Sequence, residues 1–200
     1  MYTVIKKLKM LFVLSLIYTP IHATPSTTAV NALEVLNQWN ETLGQKNLLL
    51  HDMKFDSEFL EFKELNTFLW VKREEKIDEK DRFFKFATDK DGGKYYLWFY
   101  PTLKGEPPVV TIDMSDKSAA NVTENMEDFV CSLIGGEALG GENMYSPKSN
   151  DFEKVDEYKK KFLATLTCPK KVEVFPYETK HPKINEWLDA LDEKYELKDK

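Results

Sequence analysis

The heptapeptide Lys94–Tyr100 (KYYLWFY) limits the fold more than any other stretch of the chain. Five of its seven residues are aromatic, and it lies between Asp89-Lys90-Asp91-Gly92-Gly93 and Pro101. Asp-Gly and Gly-Gly supply the positive φ of a hairpin turn, so the segment reads as a strand leaving a tight turn. Successive strand side chains point to opposite faces. Tyr95, Leu97 and Phe99 therefore share one face, and Tyr96, Trp98 and Tyr100 the other. One face must meet a core. The second is either an exposed row of large rings with polar tips, the composition of a protein interface, or a face covered in turn by C-terminal helices.

Further strands are expected around this one. Thr67–Val71 (TFLWV), Phe83–Thr88 (FFKFAT) and Val109–Met114 (VVTIDM) show period-two patterning, and a Gly-Glu-Pro-Pro loop precedes the last. The charged run Arg73–Asp81 reads as a solvated loop. Short connections make these strands an antiparallel meander of four to five strands. Helical spacing appears on both sides of it. Val30, Leu33, Leu36, Trp39 and Leu43 mark an amphipathic helix capped by Ser26, Thr27 or Thr28 and stopped near Gly44. Phe55, Phe59 and Phe62 suggest a shorter second helix. Thr123–Ile134 reads as a helix capped by Thr123 with acids in its first turn. Gly135–Asn150 holds four of the eight glycines and reads as a loop. Asp151–Leu166 and Pro182–Tyr195 are helical by spacing, with a short strand at Val172–Phe175 between them. The fold class is α+β, one domain over residues 24–200 with a C-terminal helical extension.

Residues 1–23 have the layout of a secretory signal: Lys6, Lys7 and Lys9, an apolar run Met10–Tyr18, then a break at Pro20 and a small residue, Ala23, at the cleavage position. The apolar run is about half the roughly 20 residues that span a bilayer. Cleavage after Ala23 removes three lysines and no acid, so 200 residues become 177 and the net charge goes from −6 to −9. The expected location is the periplasm or the exterior, with no membrane attachment once the signal is removed. Export makes the two cysteines, Cys131 and Cys168, a disulfide candidate. An acidic chain repels a phosphate backbone, which argues against nucleic-acid binding.

Residues 83–134 carry a family resemblance. Gly92, Gly93 and Tyr96 match a "GG-x-x-Y" turn into a strand. Pro107, Pro108, Val109 and Asp113 match a "PPV-x-x-x-D" strand, and Met126 and Phe129 match an "F-x-x-F-L" helix. On these motifs the chain resembles the SUKH superfamily, which groups fungal cell-wall-synthesis regulators with many bacterial toxin-immunity proteins. The match covers about 52 of the 177 mature residues. It departs from the pattern where the family carries Asn-Gly-Gly, since FLEFKELNTFLW holds Asn66 and no glycine. The resemblance implies a SUKH-like α+β fold and a protein that binds other proteins without catalysis. Its partner would be a cognate toxin. An acidic immunity protein favours a basic partner, and a periplasmic one meets toxins that attack wall or membrane.

No catalytic motif competes with this reading. The mature chain holds two histidines, His51 and His181, far apart in sequence and without a Ser or Cys motif. Asp89-Lys90-Asp91-Gly92 resembles the start of a calcium loop, but the spacing fails and the closing Glu is missing. No catalytic residue, metal or cofactor is therefore assigned. Asn40-Glu41-Thr42 and Asn121-Val122-Thr123 fit the glycosylation sequon. The candidate partner surface is the ring row Tyr96, Trp98 and Tyr100 with an acidic rim of Glu106, Asp113 and Asp116. An exported hydrolase or small-ligand carrier is the alternative.

Overall fold

A computed structural model describes residues 25–45, 54–59, 82–88, 92–113, 118–136, 152–176 and 178–196. Helix α1 (Thr27–Gln45) comes first, followed by strands β1 (Lys54–Phe59), β2 (Arg82–Thr88), β3 (Lys94–Phe99), β4 (Val109–Asp113) and β5 (Ser118–Thr123). Helices α2 (Met126–Gly135), α3 (Phe152–Leu163) and α4 (Ile184–Glu196) follow. The strands form one antiparallel sheet in sequence order, β1-β2-β3-β4-β5. The expected α+β meander is therefore present, with five strands among the described residues.

The sheet is covered on both faces. Tyr95, Leu97 and Phe99 of β3, with Val109 and Val122, face a layer built by α1, α2 and α3. Leu36, Trp39 and Leu43 are the buried stripe of α1, and Phe129, Val130 and Leu133 that of α2. Phe83, Tyr96, Trp98, Val110 and Ile112 face the other way, onto Ile184, Leu188 and Leu191 of α4. The C-terminal helix thus covers the second face of the sheet and shares a core cluster with it. Register keeps the faces consistent: Phe83 pairs with Trp98 and Tyr96 with Val110, each pair on the α4 side.

Local signals set most element ends. Ser26 caps α1, its Oγ accepting from Ala29 N at 3.0 Å. Gly136 closes α2 in the left-handed region at φ +87°, its N–H donating to Ser132 O and Leu133 O. The disulfide joins Cys131 of α2 to Cys168, just after α3, with Cα atoms 5.7 Å apart. It ties the helical layer to the segment that leads to α4. The two cysteines are 37 residues apart in sequence, and closing a loop of that length contributes on the order of 4 kcal/mol by restricting the unfolded chain.

Several expectations are corrected. Lys54–Phe59 is a strand, not the start of a second helix. A bulge between Phe55 and Glu58 adds a residue to β1, so phenylalanines spaced by four sit in a sheet. The segment Ser118–Thr123, whose last residue was expected to start a helix, is β5, and α2 begins only at Met126. Its cap is Asn125, whose Oδ1 accepts from Asp128 N at 2.8 Å, while Thr123 ends the strand. Val172–Phe175 is not a strand. It makes one backbone bond to the sheet edge, Phe175 N to Val122 O at 2.9 Å, and Phe175 then turns away at φ +52°. Residues 1–23, Thr67–Val71, Arg73–Asp81 and the stretch 137–150 lie outside the described residues.

Candidate functional site

The aromatic row is core. Tyr96 and Trp98 are both fully buried under α4. Trp98 stacks on Phe83, with centroids 6.0 Å apart and planes 2° from parallel, and meets Trp187 at 5.4 Å. Neither ring is offered to a partner, which overturns that part of the proposed surface. The physical reason is that α4 carries an apolar stripe of its own, and packing it on this face buries both.

Tyr100 is different because it lies one residue beyond β3. There the sheet ends, and a cleft of about 660 Å³ opens. Four segments wall it: Tyr100 at the strand end, Thr102, Lys104 and Glu106 in the β3–β4 loop, Glu124 and Asn125 in the β5–α2 turn, and Lys180, His181 and Pro182 before α4. Glu106 is held from α1's start, Ser26 Oγ donating to its Oε2 at 2.6 Å. Of the residues expected from sequence, Tyr100 and Glu106 come together here. Asp113 does not, since it ends β4 roughly 13 Å of strand away from Val109, and it pairs with Ser118. Asp116 lies outside the described residues. The acidic rim is therefore not one surface.

His181 is the hub of the cleft. Tyr100 Oη lies 2.9 Å from its Nδ1, and its Nε2 lies 2.9 Å from the Glu124 carbonyl oxygen and 3.6 Å from Glu124 Oε2. The Glu124 carboxylate also accepts from Lys180 N at 3.2 and 3.3 Å. Both ring nitrogens are thus engaged inside the protein, so the ring positions Tyr100 and ties the segment before α4 to the sheet. It does not reach toward a ligand as a base. Burial, and then the negative charge of Glu124, hold the Tyr100 hydroxyl above its ordinary pKa, so it stays protonated. Behind Asn125, burial raises the pKa of Asp128. The hydrogen bond from Asn125 opposes that shift, Glu127 and Glu124 add to it, and Lys180 offsets it.

Sequence reasoning missed Glu124, Asn125, Lys180 and His181. His181 carried the one usable signal, as one of three histidines in the chain, but nothing local links it to Tyr100. Among the described residues no group of three or more His, Cys, Asp or Glu side chains converges to hold a metal. The Asn121 sequon is spent structurally: its Nδ2 donates to Pro182 O at 3.1 Å and its Oδ1 accepts from Ile184 N at 2.9 Å. A glycan there would cost α4 its anchor.

The fold and the cleft define an α/β/α layered domain with a polar, solvent-open site at the strand ends. Comparison with protein-family models, with curated proteins and with solved structures gives no match for this chain.

Proposed function

We propose that the chain is an exported, non-enzymatic binding protein, an immunity protein of SUKH type that neutralises a cognate toxin in the periplasm. The partner docks over the strand-end cleft in place of the aromatic row. The observation that carries this reading is the division of the predicted surface: Tyr96 and Trp98 are core, whereas Tyr100 and Glu106 line an open cleft. Charge supports a basic partner. Helix α1 exposes Glu34 and Glu41 and holds no Lys or Arg, and α4 exposes Glu186, Asp189 and Glu193. The disulfide fits an oxidising compartment, and among the described residues no helix is long and apolar enough to cross a membrane.

Co-purification of the mature, oxidised chain with envelope proteins of its producer tests the proposal. A specific partner should lose about tenfold or more in affinity with Glu106→Lys, mostly through slower association that salt masks. A partner indifferent to this change, or no stable partner, refutes the reading. One observation favours a second reading, a small-ligand carrier: the cleft volume lies in the range of small-molecule sites. A metabolite co-purifying in place of a protein would select it.

A further inference from the structure

We propose that His181 is a proton-operated switch that sets the hydrogen-bond polarity of the cleft floor. The inference rests on the reading of the cleft as a binding site, whose regulation it supplies. A carbonyl oxygen only accepts, so Nε2, 2.9 Å from the Glu124 carbonyl, carries a proton in both charge states of the ring. In the neutral ring Nδ1 is then bare. Tyr100 Oη, 2.9 Å away, donates its proton to that nitrogen and turns only lone pairs to the cleft. One proton taken from solvent has a single ring position left, Nδ1. The new Nδ1–H donates to Tyr100 Oη, and the phenol proton swings out toward the cleft. Imidazole becomes imidazolium, the tyrosine remains a neutral phenol, and no bond within the chain is lost.

Burial and the Glu124 charge keep the phenol protonated, which closes the competing route to a phenolate. The charged and titratable groups around the ring come from each neighbouring segment. Glu124 of the β5–α2 turn lies 3.6 Å from Nε2 and is the counter-ion available to the charged ring. Lys180 precedes His181, Lys104 and Glu106 face across from the β3–β4 loop, and Asp128 of α2 interacts with Glu124 and Lys180. In the neutral state the floor therefore accepts a partner's N–H or ammonium. In the protonated state it donates to a carbonyl or carboxylate. Acidification reverses which partner group the floor prefers.

The test is NMR of the whole mature chain: long-range ¹H–¹⁵N correlation of the His181 ring, and the ζ-carbon of Tyr100 followed through the same pH series. Above the titration of the ring the proton should sit on Nε2 alone, and below it on both nitrogens. The Tyr100 ζ-carbon should move with the same midpoint. His181→Gln keeps a donor for Glu124 and an acceptor for Tyr100 but takes no charge, so its Tyr100 resonance should stay flat. A neutral ring protonated on Nδ1 overturns the switch. So does a ring that stays neutral down to acid unfolding, a Tyr100 signal that ignores the ring, or one that titrates equally in His181→Gln. If that variant does not fold, the wild-type tautomer and the shared midpoint decide alone. No partner enters this experiment, so its failure leaves the binding proposal standing, and a failed co-purification leaves the switch standing.

Discussion

Replacing Trp98 by alanine separates a core strand from an interface strand in one variant. Trp98 is fully buried, stacked on Phe83 and in contact with Tyr100 and Trp187. Removing its ring forfeits the transfer free energy of a large side chain and leaves a cavity that β3, held on both sides by β2 and β4, cannot close. The cost for such a change is about 3–5 kcal/mol. In a domain of this size each kcal/mol moves Tm by about 2–4 °C, so the expected drop is roughly 6–20 °C. Urea unfolding followed by far-UV circular dichroism measures it without relying on tryptophan emission, with the disulfide kept oxidised. Trp98→Phe refines the test. It keeps a ring against Phe83 and removes an indole N–H that has no hydrogen-bond partner among the described residues. Relief of that buried donor, worth about 1–3 kcal/mol, offsets much of the smaller ring, so the loss should stay below about 2 kcal/mol. A Trp98→Ala protein within about 1 kcal/mol of the wild type, but with weakened partner binding, would refute the placement of this face beneath α4.

Two further outcomes follow from specific contacts. Asn121→Ala should cost about 2–3 kcal/mol, because it removes two hydrogen bonds and uncaps α4 at Ile184 N; hydrogen exchange should show α4 amides losing protection before those of α2, and uniform loss would contradict the anchor role. For Asp128 the folded carboxyl titrates above its ordinary value, so the native state holds the proton more tightly than the unfolded chain. Its contribution to stability is present below the unfolded pKa and is lost as pH rises through the folded value. Asp128→Asn should therefore flatten the fall of the urea midpoint across the carboxylate range, about pH 3 to 6, and an unchanged slope would show that burial does not govern this group.

What the sequence determined by itself was what one element needs in order to exist. Alternation in Lys94–Tyr100 dictates a strand with two apolar faces, and the period of Leu36, Trp39 and Leu43 dictates an amphipathic helix. The fold class and most of the elements were legible from such local patterns. Two strands were not. β1 hides behind a bulge that mimics helical spacing, and β5 (SAANVT) has small polar residues with no alternation. It is a strand because β4 offers it an unpaired edge, which is a property of its neighbour. The same limit applies to the site. Tyr100 and His181 are 81 residues apart, and Ser26 and Glu106 are 80 apart. No local pattern encodes their meeting, because it depends on the order of strands in the sheet and on the path of the chain around its edge. Whether the row Tyr96, Trp98 and Tyr100 is surface or core was likewise open until α4 was placed. The apolar stripe of α4 had to bury against something, and only the assembled sheet shows that this helix covers Tyr96 and Trp98 and leaves Tyr100, of the three, at the cleft.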